Sequence, residues 1–553
     1  MGCCCCCEHE KTEAPAELTG WAKVDEVLSA FCEKLENWRI LLVSGVCVAI
    51  GLANHLKGMH MGYANPALVA VVLSGLPLAY EAFRTLFDER RITSALLITL
   101  AMIAALSIGE TFAAGEVAFI MALGEKLEAF SVRRARKGVK SLVKLKELVN
   151  DKLKVGDIVP VGPGAAFPCD GEVIEGETTV DQSVITGESV PVRKVPGDSV
   201  FCGTLNRYGF VRIKARAVGG NSSLARTIRL VNEAEKHRAP IQRIADRWAA
   251  WLVPSALCVA LLTFLAWFFC LDAGLPKALT CAVTVLVTFC PCALALATPT
   301  AIVAAIGQAT KRGVLIKTGE ALEKASRVDV VAFDKTGTLT TGTWANNLRR
   351  DQEGRILAGE KLDVADTLRP EAAETIADLK SLGVTSCLLT GDHAPIAAKF
   401  AALCGIEQVK ADLLPEDKVN AVKELTARGA HVAMVGDGVN DAAAMKYASV
   451  GIAMAGAGTD IATEASDIAI MNDHLSSVAY VKRLAQACVR TIRFNITLSM
   501  TINFVAVSLG VTGCMTPVWG ALVHNASSFL VVLNAALLYD RRIKTHTSQA
   551  ENA

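Results

Sequence analysis

The residue with the clearest chemical signature in this chain is Asp334. It follows the apolar segment Val328–Phe333 and begins the string Asp-Lys-Thr-Gly-Thr-Leu-Thr. An acidic residue at the carboxyl end of a buried parallel strand lies at the edge where open α/β sheets place their sites. Its carboxylate can attack a phosphoryl group and form an aspartyl phosphate. The hydroxyl of Thr336 and the backbone N–H groups beside it can bind the phosphate oxygens. Asp334 is therefore the predicted phosphate acceptor.

Two more apolar segments and one lysine supply the rest of this predicted site. The strands predicted over Val384–Thr390 and His431–Val435 are each followed by a glycine and an aspartate. Lys418 can neutralise phosphate charge. Asp334 and Asp437 together are predicted to hold Mg²⁺, which binds few carboxylates along with phosphate and water. The remaining residues assigned to this site are Thr390, Gly391, Asp392, Gly436, Asn440 and Asp441.

Long apolar segments explain the composition of the chain. Hydrophobic residues make up 52% of its 553 residues, and the formal net charge of +1 points to no nucleic-acid partner. Each segment approaches the roughly 20 residues that span a bilayer. Basic residues follow every second segment, which places both termini on the cytosolic side. The eight predicted spans are 39–55, 65–81, 92–108, 110–129, 250–271, 278–306, 493–511 and 515–538.

Two polar blocks on the basic side are predicted to fold as domains. Residues 140–240 are rich in Val, Thr and Gly with turn signals, which is typical of a small β-rich domain. Residues 311–485 alternate apolar strands with helical patterns, which predicts a Rossmann-like α/β domain with a parallel sheet. The fold class is thus a multidomain membrane protein. The other predicted segments are a Cys-rich tail (1–35), spans one to four (36–139), spans five and six (241–310), spans seven and eight (486–542) and a tail (543–553).

A pair of thiols flanks a proline in the sixth predicted span, in Cys290-Pro291-Cys292. Proline opens a helix by removing a backbone hydrogen bond and freeing a carbonyl. Two thiols beside that break form a soft ligand pair suited to Cu(I), Zn²⁺ or Cd²⁺. The alternative is a pair of small core residues at a structural kink. Eighteen cysteines in a chain with these features indicate metal binding or redox chemistry rather than a disulfide framework.

These motifs in this order resemble those of the P-type ATPases. The strings DKTGTLT, TGD and GDGVND lie at Asp334, Thr390 and Gly436, and the Cys-Pro-Cys motif with eight spans resembles the heavy-metal (type IB) subgroup. The resemblance implies an enzyme that uses ATP and Mg²⁺ to export a heavy-metal ion. It also implies residence in the lipid bilayer of the plasma membrane and delivery of the ion by a cytosolic metal carrier. The β-rich block would then be the actuator domain.

The resemblance assigns one further loop. Thr186-Gly187-Glu188-Ser189 lies in the β-rich block and is similar to the family's TGES loop, in which the glutamate positions water against the aspartyl phosphate. A carboxylate is a suitable general base for that water. A membrane-tethered aspartate phosphatase of the haloacid-dehalogenase type is the competing interpretation. That group has an acidic residue two positions after its nucleophile, where this chain has Thr336.

The identity of the ion stays open, between Cu(I) and the Zn²⁺, Cd²⁺ and Pb²⁺ group. Asn495 and Asn503 are spaced like two asparagines of copper pumps, but residue 502 is Ile where those pumps have Tyr. His524 stands where copper pumps have Met and zinc pumps have Asp, and imidazole suits several borderline metals. His524 as an ordinary membrane-interface residue is the alternative. The predicted ligands of the transported ion are Cys290, Cys292, Asn495, Asn503, His524 and Ser528.

Two segments depart from the family pattern. P-type pumps insert a nucleotide-binding domain after the phosphorylation motif, yet only about 25–30 residues separate Thr340 from Asp366-Thr-Leu-Arg-Pro370, and a domain needs at least about 50. The insertion is predicted to be reduced or missing near 341–365. The alternative function is then a truncated or degenerate pump that binds metal without using ATP efficiently. The tract Cys3–Cys7 stands in place of a folded metal-binding domain.

Overall fold

The chain forms two compact units in its computed structural model. The described residues are 32, 35, 37–57, 65–88, 93–107, 109–135, 153–182, 191–225, 240–289, 292–344, 366–437, 441–454 and 466–543. The first unit comprises the chain up to Leu127 together with 249–292 and 501–528. The second comprises 128–248, 293–500 and 529–553. Within the described residues the first unit is helical, and all the strands lie in the second.

Apolar helices precede and follow the β-rich block in the chain. Their backbone polar groups are paired within each helix, as a bilayer requires. The predicted sixth span, 278–306, is two helices: one ends at Thr288 and the next begins at Cys292. The bounds are α1 (Trp38–Leu56), α2 (Ala67–Asp88), α3 (Ser94–Ser107), α4 (Thr111–Ala135), α5 (Pro240–Leu265), α6 (Gly274–Thr288) and α7 (Cys292–Thr310).

Small residues allow the helices of the first unit to approach closely. A Cβ at Gly115 of α4 would collide with the backbone carbonyl of Ala67 in α2. Small residues at helix interfaces are typical of membrane bundles, where van der Waals packing replaces the hydrophobic effect. Buried Leu78, Leu97 and Val283 belong to one apolar cluster, to which α2, α3, α4, α5 and α6 all contribute.

The β-rich block contains two antiparallel sheets. Alternation along β7, with Val211, Ile213 and Ala215 buried and their neighbours exposed, places one face of the sheet against the core. The sheet orders are β1-β7-β2-β5 and β4-β3-β6. The strands are β1 (Ile158–Val161), β2 (Asp170–Glu175), β3 (Thr178–Asp181), β4 (Val192–Lys194), β5 (Ser199–Val200), β6 (Leu205–Tyr208) and β7 (Val211–Ala217).

The α/β block is a seven-stranded sheet of order β13-β12-β9-β14-β15-β16-β8, parallel except for β8 at one edge. Its central strands are almost wholly buried and apolar, as expected for a parallel sheet covered on both faces. The strands are β8 (Val314–Ile316), β9 (Val330–Asp334), β12 (Thr385–Leu389), β13 (Gln408–Lys410), β14 (Val432–Gly436), β15 (Val450–Met454) and β16 (Ile468–Ile470). The helices are α8 (Gly319–Arg327), α9 (Ala372–Ser381), α10 (Ala394–Cys404), α11 (Pro415–Ala427) and α12 (Ala442–Tyr447).

A separate two-stranded ribbon branches from this sheet. Its strands are β10 (Thr340–Trp344) and β11 (Asp366–Leu368), which pair antiparallel from Thr340 with Leu368 to Trp344 with Asp366. Residues 345–365, which connect them, lie outside the described residues. The ribbon therefore brings the two ends of that connection side by side.

Two long helices complete the described chain: α13 (Ser476–Val511) and α14 (Pro517–Ala536), with a short 3₁₀ turn over Leu537–Asp540. Four described helices are long and apolar enough to cross a membrane, namely Ala67–Asp88, Trp251–Cys270, Ser476–Val511 and Pro517–Asp540. Each of the eight predicted spans overlaps a helix, but several of these helices are shorter. Membrane helices are present, and the number eight remains a prediction.

Candidate functional site: a lysine-bridged aspartate at the sheet edge

Asp334 is the last residue of β9, which lies between β12 and β14 in the sheet. Both neighbours run parallel to β9, with Leu389 opposite Asp334 and Val435 opposite Phe333. The carboxyl ends of the three strands therefore lie at one edge. Thr390 follows β12 there and Asp437 follows β14, so the structure brings these sequence-predicted residues together with Asp334.

Lys418 joins two carboxylates at this edge. Its Nζ lies 2.5 Å from Oδ1 of Asp334 and 2.8 Å from Oδ1 of Asp441. Pro415 occupies the first turn of α11, which Lys418 also belongs to, and the lysine side chain is only 9% exposed. Asp441 directly precedes α12 and is fully buried. A Cβ at Gly436 would lie 2.9 Å from the Cβ of Asp441, so a glycine there allows the two backbones to approach.

The charges in this cluster shift one another's pKa values. Burial raises the pKa of the Asp334 carboxyl to about 6, the nearby Asp441 carboxylate adds to the rise, and Lys418 opposes it. Burial also raises the pKa of Asp441. Burial alone would lower the pKa of Lys418, but attraction to Asp334 and Asp441 outweighs it and raises that pKa. Lys418 thus stays charged while the two carboxyls compete for it, a pattern typical of a functional site.

The loop after Asp334 folds back against Asp437. Gly337 has φ +70°, a conformation that side chains disfavour, and a Cβ there would lie 3.4 Å from Oδ2 of Asp437. The Thr340 hydroxyl accepts from the Gly337 N–H at 3.2 Å and donates to the Lys335 carbonyl at 3.1 Å. Thr336 is exposed between these bonds. The loop is therefore held from within, and the Thr336 hydroxyl is open to a ligand.

The end of β12 holds the lysine that follows Asp334. Asp392 Oδ2 lies 2.6 Å from Nζ of Lys335, whose side chain is 9% exposed. The buried Thr390 hydroxyl accepts from the Asp392 N–H at 3.1 Å. Gly391 is exposed, and a Cβ on it would lie 3.1 Å from the Leu413 carbonyl oxygen. Asp392 therefore fixes the start of the loop rather than touching Asp334 itself.

Sequence reasoning missed one residue of this edge, Arg369. Its side chain is 8% exposed, and it donates from Nη2 to the Gly337 carbonyl at 3.2 Å and to Oδ1 of Asp473 at 2.9 Å. Nη1 donates to the Asp473 carbonyl at 2.6 Å. The available signal was an arginine at the return of the chain into the sheet domain, directly before Pro370.

Those predicted ligands of the transported ion that the structure describes lie on the apolar helices. Asn495 of α13 is fully buried, and its amide is engaged: Oδ1 accepts from Asn534 at 2.7 Å and Nδ2 donates to the Val531 carbonyl at 3.0 Å. His524 and Ser528 lie one turn apart on α14, 3% and 1% exposed. The Ser528 hydroxyl has no hydrogen-bond partner among the described residues. Asn503 is half-buried on α13, and Cys292 is the first residue of α7.

Several predicted residues lie outside the described part of the chain. These are the Cys3–Cys7 tract, Gly187, Glu188, Cys290 and Asn440. Their assignments remain predictions from the sequence.

Comparison with known proteins identifies both soluble blocks. Residues 126–232 match the P-type ATPase actuator domain, and residues 349–449 match the haloacid dehalogenase-like hydrolases. A solved zinc-transporting PIB-type ATPase in its E2.Pi state superposes with a TM-score of 0.53 at 30% identity, covering 90% of this chain and 99% of that one. The fold is that of a P-type ATPase, with an actuator domain, a haloacid-dehalogenase-like domain and membrane helices.

Curated relatives narrow the class. The chain is 35% identical to a probable copper-exporting P-type ATPase V of Mycobacterium tuberculosis, over 76% of this chain and 69% of the relative. It is 32% identical to a manganese-exporting P-type ATPase of Mycobacterium bovis, with 91% and 86% covered. It is 33% identical to a zinc/cadmium/lead-transporting P-type ATPase of Escherichia coli, with 90% and 82% covered. The chain belongs to the heavy-metal-transporting P-type ATPases, and the resemblance drawn from its motifs is confirmed.

Proposed function

We propose that this enzyme exports a soft or borderline heavy-metal cation, driven by ATP through an aspartyl phosphate on Asp334. The observation that supports this most directly is the Lys418 ammonium between Asp334 and Asp441 at the end of β9. Lys418 orients the Asp334 carboxylate and offsets negative charge where a phosphoryl group would arrive. The two deeply placed carboxylates also keep the lysine protonated, so it does not compete as a base.

The residues at the sheet edge fit a magnesium ion. Asp334 and Asp437 end neighbouring strands, Gly337 leaves open the space beside Asp437 that a Cβ would fill, and one buried oxygen of Asp441 has no hydrogen-bond partner among the described residues. Hard carboxylate oxygens of this kind suit Mg²⁺. Asp334 and Asp437 would hold the ion, and when bound it supplies charge neutralisation on the phosphoryl oxygens.

This chain's residues then divide the work of phosphorylation. Asp334 supplies the attacking oxygen, whose lone pair forms the bond to phosphorus while the bond to the nucleotide's β-phosphate oxygen breaks. Thr336 and the backbone of the loop bind phosphoryl oxygens, and Asp392 positions this loop through Lys335. Thr390, Gly391, Gly436, Asn440 and Asp441 complete the edge in this proposal. Glu188 of the actuator domain, preceded by Gly187, positions the water that hydrolyses the aspartyl phosphate.

For the ion, we propose ligation by Cys290 and Cys292 together with His524 and the hydroxyl of Ser528. Mixed thiolate and imidazole donors suit Zn²⁺ and neighbouring borderline ions as well as copper. Asn503 is retained as a ligand. Asn495 is the weakest member of the set, because its oxygen already accepts a hydrogen bond from Asn534. The proposed membrane part is a bundle of eight helices in the plasma membrane with both termini cytosolic, receiving its ion from a cytosolic carrier.

We also propose that the nucleotide-binding insertion is reduced or missing near 341–365, where residues 345–365 connect β10 and β11. Strands β10 and β11 pair on either side of this segment, and the segment is shorter than the ~50 residues of a small domain. The alignments with the manganese and zinc/cadmium/lead relatives run over 634 and 603 positions, more than the 553 residues here, so those relatives contain segments without a counterpart in this chain. The phosphoenzyme experiment therefore also tests weak ATP use, the degenerate-pump alternative.

The decisive experiment is a phosphoenzyme assay on the purified full chain with a panel of ions: Cu(I), Zn²⁺, Cd²⁺, Pb²⁺ and Mn²⁺. We expect a hydroxylamine-labile phosphoenzyme that depends on one class of ion and disappears in Asp334→Asn. ATP and acetyl phosphate are compared as donors. Phosphorylation from acetyl phosphate but not from ATP would establish the degenerate alternative. No phosphoenzyme from either donor, in folded protein with any ion, would falsify the proposal.

A further inference from the structure

Arg369 connects two segments that are far apart in sequence. It lies just after β11, and its guanidinium is almost completely buried. One edge of the guanidinium is bound to Asp473, through the backbone carbonyl at 2.6 Å and through Oδ1 at 2.9 Å. The same Nη2 also reaches the Gly337 carbonyl at 3.2 Å. The Arg369 backbone N–H donates to the Leu339 carbonyl at 2.9 Å, which adds a second bond to the loop after Asp334.

The two residues that accept from Arg369, Gly337 and Asp473, lie next to the proposed phosphorylation site and next to a long helix, respectively. Gly337 is the left-handed residue of the loop that follows Asp334, and it lies close to Asp437. Asp473 lies three residues before the first residue of α13, Ser476, and has φ +55°, an uncommon conformation for a residue with a side chain. The N–H of Leu475, between them, donates to Glu371 at 3.3 Å. The start of α13 is therefore tied to the chain around Arg369 at two points.

The other end of β9 is tied to the same helix. Lys482, on the second turn of α13, is 6% exposed and donates to the carbonyls of Ser326 and Val328 at 2.7 and 2.6 Å. Val328 lies two residues before β9. Arg483 forms an ion pair with the buried Asp378 of α9. The strand and loop that present Asp334 are thus fastened to α13 at both ends, by Lys482 before the strand and by Arg369 after it.

We propose that Arg369 is a positioning residue that couples the phosphorylation loop to the cytosolic end of α13. The inference rests on the proposed phosphorylation of Asp334. A guanidinium is a rigid planar fork, so one group that binds both Gly337 and Asp473 cannot follow a shift of one without moving the other. α13 continues to Val511 and qualifies as a membrane-crossing helix. A change in the loop on phosphorylation would therefore be transmitted to that helix, and an ion that shifts the helix would alter the loop, since such coupling is reciprocal.

The test compares Arg369→Ala, Arg369→Lys and Asp473→Ala in the full chain, with free Zn²⁺ and Cu(I) used in parallel as ion probes. The readout is the dependence of phosphoenzyme level on ion concentration, with acetyl phosphate as donor. We expect Arg369→Ala still to form phosphoenzyme. The ratio of the phosphoenzyme level with saturating ion to the level without ion should fall about tenfold, within the usual range of coupling between sites. Asp473→Ala keeps the Gly337 bond and the bond to the backbone carbonyl of residue 473 and removes only the side-chain bond, so it should reproduce part of this loss. In Arg369→Lys, the ammonium is a single point charge that cannot bind both acceptors as the guanidinium does. This variant should therefore show only part of the normal response to the ion.

Matched controls separate coupling from general damage. Arg327→Ala removes a half-exposed arginine of α8 that pairs with Glu323 and does not contact the loop, and it should keep the normal ion dependence. Asp473→Asn keeps both the backbone carbonyl and a side-chain oxygen, and it should stay close to the unmodified protein. Thermal unfolding checks each variant. If Arg369→Ala does not fold, Asp473→Ala decides the question.

Two results have distinct meanings. If the unmodified protein forms no phosphoenzyme, the proposed function fails before the coupling is examined. If it does, and folded Arg369→Ala and Asp473→Ala respond to ions as the unmodified protein does, the coupling role is wrong and Arg369 only stabilises the fold.

Discussion

The sheet edge at Asp334 and the helix pair α13–α14 differ in how their polar groups are partnered. At the sheet edge, charged groups are paired with one another: Lys418 with Asp334 and Asp441, and Lys335 with Asp392. In the helix pair, Asn495 is bonded to α14 through Asn534, whereas the hydroxyl of Ser528 has no partner among the described residues.

This difference has a physical reason. At the sheet edge, the β-strands fix the spacing of the polar groups, and a buried charge without a counter-charge would be expensive. Asp334, Asp392 and Asp441 are therefore each paired with a lysine, although one oxygen of Asp441 has no hydrogen-bond partner among the described residues. In a helix pair, a polar group bonded to its neighbour contributes to packing, and one left without a partner is available to a ligand. A residue whose polar atoms are hydrogen-bonded within the fold and a residue whose polar atom has no partner can therefore be assigned different roles, even when both match the same family motif.

Replacement of Lys418 tests the sheet edge most severely. In Lys418→Met, Asp334 and Asp441 would face each other without a counter-charge, and breaking a buried pair costs about 3–5 kcal/mol. Phosphoenzyme formation should fall by about 10²-fold or more, because a group aimed at developing charge is lost. The phosphoenzyme assay and denaturation of the purified protein measure the two effects. Lys423→Met, an exposed position on the same helix, is the control and should change neither. Equal effects of both replacements would contradict the assigned role.

Replacement of His524, one turn before Ser528 on α14, tests the proposed ion site in the helix pair. If His524 binds the ion, His524→Leu should weaken ion-dependent phosphorylation by about tenfold or more, which corresponds to 1.4 kcal/mol. His524→Met should shift the preference toward Cu(I), because a thioether is the softer ligand. Ion titrations of the phosphoenzyme level provide the measurement. His431→Leu, at an exposed position before β14, is the control. An unchanged ion preference in His524→Met would show that this buried imidazole only packs.

Removal of the Asp334 charge should give a gain in stability that depends on pH. Burial and Asp441 raise the pKa of Asp334 to about 6, against an ordinary value of about 4 in the unfolded chain. A carboxyl with a raised pKa stabilises the folded protein while it is protonated, and that stability is lost as the pH rises through about 6. In magnesium-free buffer, the free energy of unfolding of Asp334→Asn should match that of the unmodified protein at about pH 4 and exceed it at about pH 8 by about 1–3 kcal/mol. Denaturation at several pH values measures this.

The matched control for that experiment is Glu407→Gln. Glu407 is an exposed carboxylate paired with Lys380, and the pKa of Glu407 is lowered rather than raised. Its replacement should give no gain at high pH. A gain for Asp334→Asn that does not change with pH would mean that the carboxyl is not strained by burial.

Much of the sheet edge follows from the sequence, because its information is local. The apolar run before Asp334 predicts a buried strand, and parallel strands bring Thr390 and Asp437 to the same edge. The predicted strands differ from β9, β12 and β14 by one or two residues at their ends. The position of Lys418 is harder to predict, since the distances from its Nζ to Asp334 and Asp441 depend on how α11 packs against the sheet. Arg369 was missed because its partners, Gly337 and Asp473, are distant in sequence and are recognised only once the fold is known.

In the helix pair α13–α14, the sequence predicts the positions of the helices but not the contacts of their polar residues. The sequence predicts where α13 and α14 lie, since apolar length alone indicates them. It does not predict which asparagine is bonded to a neighbour, because that depends on the rotation of one helix against the other. Spacing alone made Asn495 and Asn503 equivalent candidates. The structure separates them by placing the Asn495 amide between Asn534 and the Val531 carbonyl.

The smallest expected effect distinguishes the two roles of Asn495. In Asn534→Ala, Oδ1 of Asn495 loses its donor, and an interhelical hydrogen bond of this kind is worth about 0.6–1.7 kcal/mol of stability. If Asn495 serves packing, Asn534→Ala and Asn495→Ala should both lower thermal stability while the ion dependence of phosphorylation stays unchanged. If Asn495 is instead a ligand, Asn495→Ala should weaken the ion response, and Asn534→Ala should leave that response intact or strengthen it by releasing the oxygen. Thermal unfolding and ion titration of the same two variants therefore separate the alternatives, because packing predicts parallel changes in the two proteins and ligation predicts divergent ones.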